Sequence, residues 1–175
     1  SGTVGLMMCR VLNCKEHRAD SFAIDLGIAM QLTNISRDIL EDANMGRRYL
    51  PASWIDLPAS VIANADMTCQ QPVADATKRM LDLAENYYQS ALLGIQLLPL
   101  RSRLSITVAL RVYRQIGWVL KRRGLVWWQG RVFVSKSEKM LLSLHSLGDL
   151  IPVKVPAHKE ALHQHLQGLA GVQTE

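Results

Sequence analysis

The chain has 175 residues, is 49% hydrophobic and 20% charged, and carries a net charge of +5. That is enough apolar material for one ordinary globular domain with a real core, and no apolar run approaches the roughly 18 residues needed to cross a bilayer. The positive balance suits an acidic partner, but the basic residues are interleaved with few aromatics beyond Trp127 and Trp128 and no zinc-finger or RNA-binding signature occurs, so no nucleic-acid partner is expected.

Long stretches lack Gly and Pro, strand-like alternation is rare, and the run RVFVS is too short for a sheet, so the expected class is all-α. About six helical stretches and no repeats follow in chain order. Residues 3 to 12 continue an element, and because the chain opens inside an apolar run without an initiator Met, it reads as a piece cut from a longer protein. Residues 18 to 45 form a helix that stops at Gly46, followed by a loop to Pro58 containing Arg47, Arg48, Tyr49 and Pro51. A long amphipathic helix is expected over 72 to 98, ending near Pro99, with Met80, Leu81, Leu83, Ala84, Tyr87, Tyr88 and Ala91 at helical spacing.

Another helix spans 102 to 123, with Ala109, Tyr113, Ile116 and Leu120 on one stripe and Gly124 as its stop. The basic loop GRVFVSKSEK leads into a last core helix over 136 to 147. The division expected is a domain over 1 to 147 and a Pro-punctuated tail over 148 to 175 with at most one weak helix. The tail's histidines, His158, His163 and His165, read as solvated, and the tail is given no role. Cys9, Cys14 and Cys69 make an odd set without metal spacing and no signal peptide precedes them, which reads as free thiols in a reducing cytoplasm. Peripheral contact with a membrane is compatible with the charge.

The most informative segment is GIAMQLTNISRDILEDANMGRRYLP. With Asn34 at zero on a helical wheel, Gly27, Asp38, Gln31 and Asp42 fall at about 20°, 40°, 60° and 80°, with Glu41 at the edge of the arc. Ile28, Leu32, Ile35 and Ile39 occupy roughly 100° to 160°, so one side faces a core and the other is acidic and amide-rich. Most charged stripes are solvated faces, and spacing alone favours that reading. Against it, Asp38 and Asp42 are like charges at i,i+4 with no Lys or Arg three or four residues from either, while Arg37 is expected to pair with Glu41. Glu41 and Asp42 also lie near the helix C-terminus, where the macrodipole disfavours negative charge.

Something cationic should compensate these carboxylates. Mg²⁺ takes oxygen ligands, uses one or two carboxylates and completes its shell with water and substrate phosphate; Asn34 and Gln31 offer further oxygens without further charge. Along the axis Asn34, Asp38 and Asp42 are about 6 Å apart per step, so they suit one loosely held ion or two side by side. Arg47 and Arg48 directly follow, and a diphosphate bridged to the metal would take donors from an Arg fork.

These residues resemble the second aspartate-rich motif of the head-to-head prenyl synthases, the squalene and phytoene synthase family: QLTNIxRDxxED followed by GRxYLP is highly specific. The resemblance continues in SGTVGLMM upstream and in ALRVYRQIGWVLKRRG and GRVFVSKSEK downstream, covering residues 1 to about 145. QLTN and RYLP look more like the phytoene branch than the squalene branch. The resemblance implies part of an isoprenoid-synthase helical bundle, a prenyltransferase of carotenoid biosynthesis that joins two geranylgeranyl diphosphates through the cyclopropylcarbinyl diphosphate to phytoene, and Mg²⁺, with Mn²⁺ as a substitute. NADPH is not expected, because it serves the squalene branch.

By the same resemblance Asn34, Asp38 and Asp42 hold the metal, Asp38, Asp42 and Arg47 carry the chemistry, and Gln31, Asn34, Arg37, Arg47, Tyr113 and Arg131 meet the substrate. Arg48 matches no such position and is expected to face solvent. The family uses two aspartate-rich helices, and this chain shows one: Asp20 and Asp25 are five apart, Asp75 and Asp82 seven apart, and neither pair has the accompanying residues. The expectation is a C-terminal portion whose N-terminal partner half is missing, with little activity alone. Two other readings stay open: a noncatalytic relative that binds prenyl diphosphate, and a membrane-surface helical protein whose acidic stripe is only solvated.

Overall fold

The computed structural model describes residues 18–151 and 153–166. The element expected over 3 to 12, Cys9 and Cys14 lie outside them. Within them the chain is all-α, with helices α1 (Arg18–Arg37), α2 (Ile39–Asn44), α3 (Ala59–Asn64), α4 (Met67–Gly94), α5 (Leu100–Arg122) and α6 (Lys136–His145). Short 3-10 turns occur at Ile95–Leu97, Trp127–Gln129, Ser146–Leu150 and Glu160–Leu166. No described helix is long and apolar enough to cross a membrane.

The helix expected over 18 to 45 is kinked at Asp38 (φ −103°, ψ 15°) rather than continuous. The Asp38 amide still donates to the Asn34 carbonyl at 2.9 Å and the Asp42 amide to the Asp38 carbonyl at 2.8 Å, so α2 continues α1 at an altered angle. Helix α4 begins at Met67, five residues before Pro72, which had marked its expected start. Pro72 removes only one backbone donor, and its surroundings at Thr68 and Pro72 are exposed, so water can satisfy the freed carbonyl. Helix α3 was not expected at all; it is a six-residue turn after Pro58.

Helices α1 and α4 form the principal packing pair, with α5 laid against both. Their contact places Ala29, Ala84, Tyr87, Tyr88, Ala91 and Leu110 in one cluster. The Thr33 and Tyr88 hydroxyls meet at 2.9 Å across it, which satisfies two buried polar groups inside an apolar interface. At the crossing near the end of α4, Gly94 sits against Phe22; a methyl there would overlap the Phe22 side chain. Under α2, a second cluster gathers Ile39, Ala43, Leu50, Ile62, Val73, Met80 and Trp127. Trp127, 2% exposed, donates its indole N–H to the Gln70 carbonyl at 3.1 Å and so cannot serve as a stacking platform.

The segment leading to α6 runs extended, with Val132 and Val134 buried and Phe133 between them exposed, as period-two geometry requires. Ser135 then caps α6: its hydroxyl accepts from the Glu138 amide while the Glu138 carboxylate accepts from the Ser135 amide. Contrary to the expectation of a core helix, α6 buries no residue; Leu142 is half-buried, and Met140, Leu141 and Leu144 are exposed. The tail is not loose either. Asp149 receives the Arg111 guanidinium, Gln96 donates to the Asp149 carbonyl at 2.8 Å, and the Tyr87 hydroxyl donates to the Leu162 carbonyl at 3.0 Å.

Candidate active site

Helices α1 and α2 together present the acidic side. The buried residues of α1 include Phe22, Ile24, Asp25, Ala29, Thr33 and Ser36, whereas Ile28, Leu32 and Ile35, the apolar arc expected to face the core, are only half-buried beside them; Asn34, and Asp38 just after the helix, lie off the buried stripe. Asn34, Asp38, Glu41 and Asp42 are each partly shielded, neither buried nor free in solvent, whereas Gln31, one turn earlier, is exposed.

The ion pairing differs from the sequence reading. Arg37 does not pair with Glu41. It clasps its neighbour Asp38 through two bonds, Nε to Oδ1 at 2.7 Å and Nη2 to Oδ2 at 2.9 Å. Neighbours on a regular helix point about 100° apart and do not face each other; the distorted backbone at Asp38 and the reach of the Arg side chain bring them together. Asp38 takes a second guanidinium from Arg131, at 2.9 Å, and Arg131 lies 3.6 Å from Glu41 as well. Asp38 is therefore compensated from within the chain. Burial pushes its carboxyl up, but the two guanidiniums outweigh burial and hold it below the ordinary carboxylate value. The hydrogen bond to Asp38 in turn raises Arg37.

Asp42 is different. Among the described residues no side chain bonds or pairs with its carboxylate, and burial followed by the charge of Asp38 raises its pKa, against the pull of Arg47 and Arg131. The Asp42 carbonyl has a defined role: it accepts from the Arg47 amide at 2.8 Å while the Gly46 amide donates to Ala43 at 2.9 Å. This is the Schellman closure of a helix, and it needs the left-handed φ of +71° that Gly46 supplies. The turn delivers Arg47, exposed, to the end of the acidic face. Arg48 does not face solvent as expected; it is half-buried and donates to the Leu57 carbonyl at 2.8 Å and to Asp56 at 3.3 Å, bracing the loop. An open groove of about 220 Å³, including its solvent-facing mouth, lies beside Asp42 and Arg47 and is floored by Ile35, Ile39 and Leu50.

The donor set fits a hard cation. The Asn34 Oδ1 and Glu41 Oε2 atoms are buried and have no hydrogen-bond partner, an expensive arrangement for two oxygens that a divalent ion would relieve. Asn34, Arg37, Asp38, Asp42, Arg47 and Arg131 thus lie along one continuous face, and Tyr113, half-buried on α5, is close enough to bear on the Arg37 guanidinium. Gln31 extends the face toward solvent without a recorded contact. Glu41 is the member that sequence reasoning left out, although its place at the edge of the helical arc was the available signal. The Asp25, His158 and His163 cluster was also missed; the tail histidines were read as solvated, yet two of them are on a buried carboxylate.

Comparison with known proteins places this geometry in context. The family model described as squalene/phytoene synthase matches residues 1–138. The chain is 39% identical over 159 residues to a 15-cis-phytoene synthase of Enterobacter agglomerans, covering 90% of this chain and 54% of that protein. It is 39% identical over 159 residues to the 15-cis-phytoene synthase of Pantoea ananas, covering 90% and 52%. To that of Paracoccus sp. strain N81106 it is 41% identical over 141 residues, covering 80% and 45%. The chain spans about half the length of the curated relatives it matches.

Proposed function

This chain belongs to the squalene/phytoene synthase family, and we propose from that membership and the acidic face that its protein joins two geranylgeranyl diphosphates head to head to give 15-cis-phytoene. The observation that carries the reading is the pair of buried, partnerless oxygens, Asn34 Oδ1 and Glu41 Oε2, on the helix pair that also bears the uncompensated Asp42. A purely solvated stripe has no reason to bury acceptors without donors.

Asn34, Asp38 and Asp42 would hold Mg²⁺, or Mn²⁺ in its place, and the bound ion supplies positive charge against the departing diphosphate. Arg47 donates to the diphosphate oxygens from the helix-end turn, as a planar fork suited to paired oxygens. Arg37, with 22% of its side chain exposed, is the better fixed of the two guanidiniums on Asp38 and orients that carboxylate. Arg131, at 44%, is the one able to turn from Asp38 to an incoming diphosphate. Tyr113 closes the apolar side next to Arg37, and Gln31 lengthens the polar face by a turn. The apolar helix faces keep water from a carbocation that it would quench. The last cation loses a proton, so NADPH has no part in this reading.

The face is one side of a two-sided clamp, and we assign the opposing acidic helix to the length of the relatives that this chain does not span. The setting is cytoplasmic, in peripheral contact with the membrane that dissolves prenyl chains. Product analysis of the complete protein with geranylgeranyl diphosphate and Mg²⁺ tests the reading. Phytoene should form with or without NADPH, Asp42→Asn should lower kcat on the order of a hundredfold or more, and the 175-residue chain alone should show little turnover. A squalene-type product that requires NADPH would move the protein to the other branch; tight prenyl diphosphate binding without turnover by the complete protein would make it a noncatalytic binder.

A further inference from the structure

Asp25 lies on α1 thirteen positions before Asp38, about 20 Å away along the helix axis, and is 0% exposed. Its two oxygens face two imidazoles of the C-terminal segment: Oδ2 is 2.7 Å from His158 Nε2, and Oδ1 is 2.7 Å from His163 Nε2. His163 is itself buried and the side chain of His158 is 13% exposed. The two rings stand 4.5 Å apart, with Phe22 edge-on to His158 at 5.1 Å. No Lys or Arg pairs with Asp25 among the described residues; its ion pairs are to the two histidines.

We propose that Asp25, His158 and His163 form a binding site for one zinc-class transition-metal ion, separate from the Mg²⁺ face, which fastens the C-terminal segment to α1. Two imidazole nitrogens and one carboxylate oxygen are a common zinc donor set, and the nitrogens select against Mg²⁺, which prefers oxygen. One donor atom from each of the three residues lies within 4.8 Å of the others. Zinc bonds of about 2.0 to 2.1 Å in a tetrahedron set neighbouring donors about 3.3 Å apart, so the 2.7 Å contact between the ligating Asp25 oxygen and its own histidine has to open by about half an ångström, while the second imidazole nitrogen, which faces the other oxygen, moves toward the shared ion from within 4.8 Å. Ligation uses the Nε2 lone pair of each ring, so a ring protonated at both nitrogens releases its Nε2 proton to solvent, a neutral ring carries its single proton on Nδ1, and water completes the coordination.

The surroundings are suited to fixing ligands. Packing against Phe22 restricts the His158 ring, and the Tyr87 hydroxyl on the Leu162 carbonyl holds the backbone next to His163. A buried carboxylate needs a cationic partner, since removal from water is otherwise costly. The site offers it imidazole protons or a metal, and the metal also joins a helix to a segment that begins more than a hundred residues later.

The test uses the untagged 175-residue chain, stripped with a chelator and titrated with Zn²⁺ by calorimetry and with Co²⁺ by visible absorption. One ion per chain is expected, with a four- or five-coordinate Co²⁺ spectrum, a raised unfolding midpoint, and no response to Mg²⁺ at this site. Asp25→Asn and His163→Gln should abolish the Co²⁺ band with helical circular dichroism retained, whereas Asp42→Asn should leave it unchanged. Absence of stoichiometric binding, or an identical spectrum in the Asp25 and His163 variants, overturns the proposal. Should those variants unfold, hydrogen exchange on the unmodified chain decides: Zn²⁺ must slow exchange around Asp25 and in 158–166, and protection confined to other segments overturns it.

Discussion

Replacing Asp42 by Asn should make the protein more stable and less able to bind metal. At neutral pH the Asp42 carboxylate stands four residues from Asp38 and in the last turn of α2, with no side-chain partner among the described residues. A like-charge pair at i,i+4 costs about 0.2–0.5 kcal/mol and a negative charge at a helix C-terminus about 0.3–1 kcal/mol. Attraction from exposed Arg47 offsets a few tenths of a kcal/mol, by the usual worth of surface pairs. Asn removes the charge at nearly constant shape and helix propensity, so the net gain is about 0.5–1 kcal/mol, or a rise in Tm of about 2 °C for a chain of this size. The sign with pH is defined. Because burial and Asp38 raise the folded pKa of Asp42 above its ordinary 3.8, ionised Asp42 destabilises the fold in full above that raised value, and the penalty declines as pH falls through it and is gone below 3.8. The difference between Asp42→Asn and the unchanged chain should therefore be present at pH 7 and shrink in acid. Thermal unfolding across pH, with and without millimolar Mg²⁺ and inorganic diphosphate, measures both effects. A lowered midpoint at pH 7, or equal stabilisation of both proteins by Mg²⁺ and diphosphate, would refute the reasoning.

Other substitutions probe the scaffold and the charge network. Gly94→Ala drives a methyl into Phe22 and should destabilise by about 1–3 kcal/mol through overpacking, more than the up to about 1 kcal/mol gained in helix propensity; Phe22→Ala in the same chain should show favourable coupling in urea denaturation. Arg131→Gln removes one of two guanidiniums holding Asp38 down, so stability present above the ordinary carboxylate value should be lost at a higher pH than in the unchanged chain, which an acid titration followed by circular dichroism reads directly. Cys69, 1% exposed and with its thiol pushed up by burial, should resist iodoacetamide in the native chain and become labelled in denaturant, as resolved by peptide mapping.

What the sequence disclosed was local. The acidic face depends on spacings of three and four residues, and the Gly46 stop depends on one left-handed residue, so both could be read without knowing the neighbours. Partner choice could not. Arg37 and Glu41 are at ideal spacing, yet the kink at Asp38 redirects Arg37, and Arg131 reaches Asp38 from more than ninety residues later. Pro72 looked like a boundary because local preference ignores the packing of the rest of α4 on α1. The last helix was expected in the core, but whether any of its faces finds a partner is a property of the assembled structure. The tail histidines looked solvated because their carboxylate lies 133 and 138 residues away.

That separation also orders events in time. When the chain leaves the ribosome, Asp25 emerges long before either histidine exists, and α1 and α4 can pack while its carboxylate is still hydrated. His158 stands 133 positions after Asp25, so the C-terminal clasp cannot set before its own segment has been made. A chain truncated before His158 would retain its helices but leave Asp25 permanently wet, a difference that quality-control proteases, which sample the open end of a fold, are placed to detect.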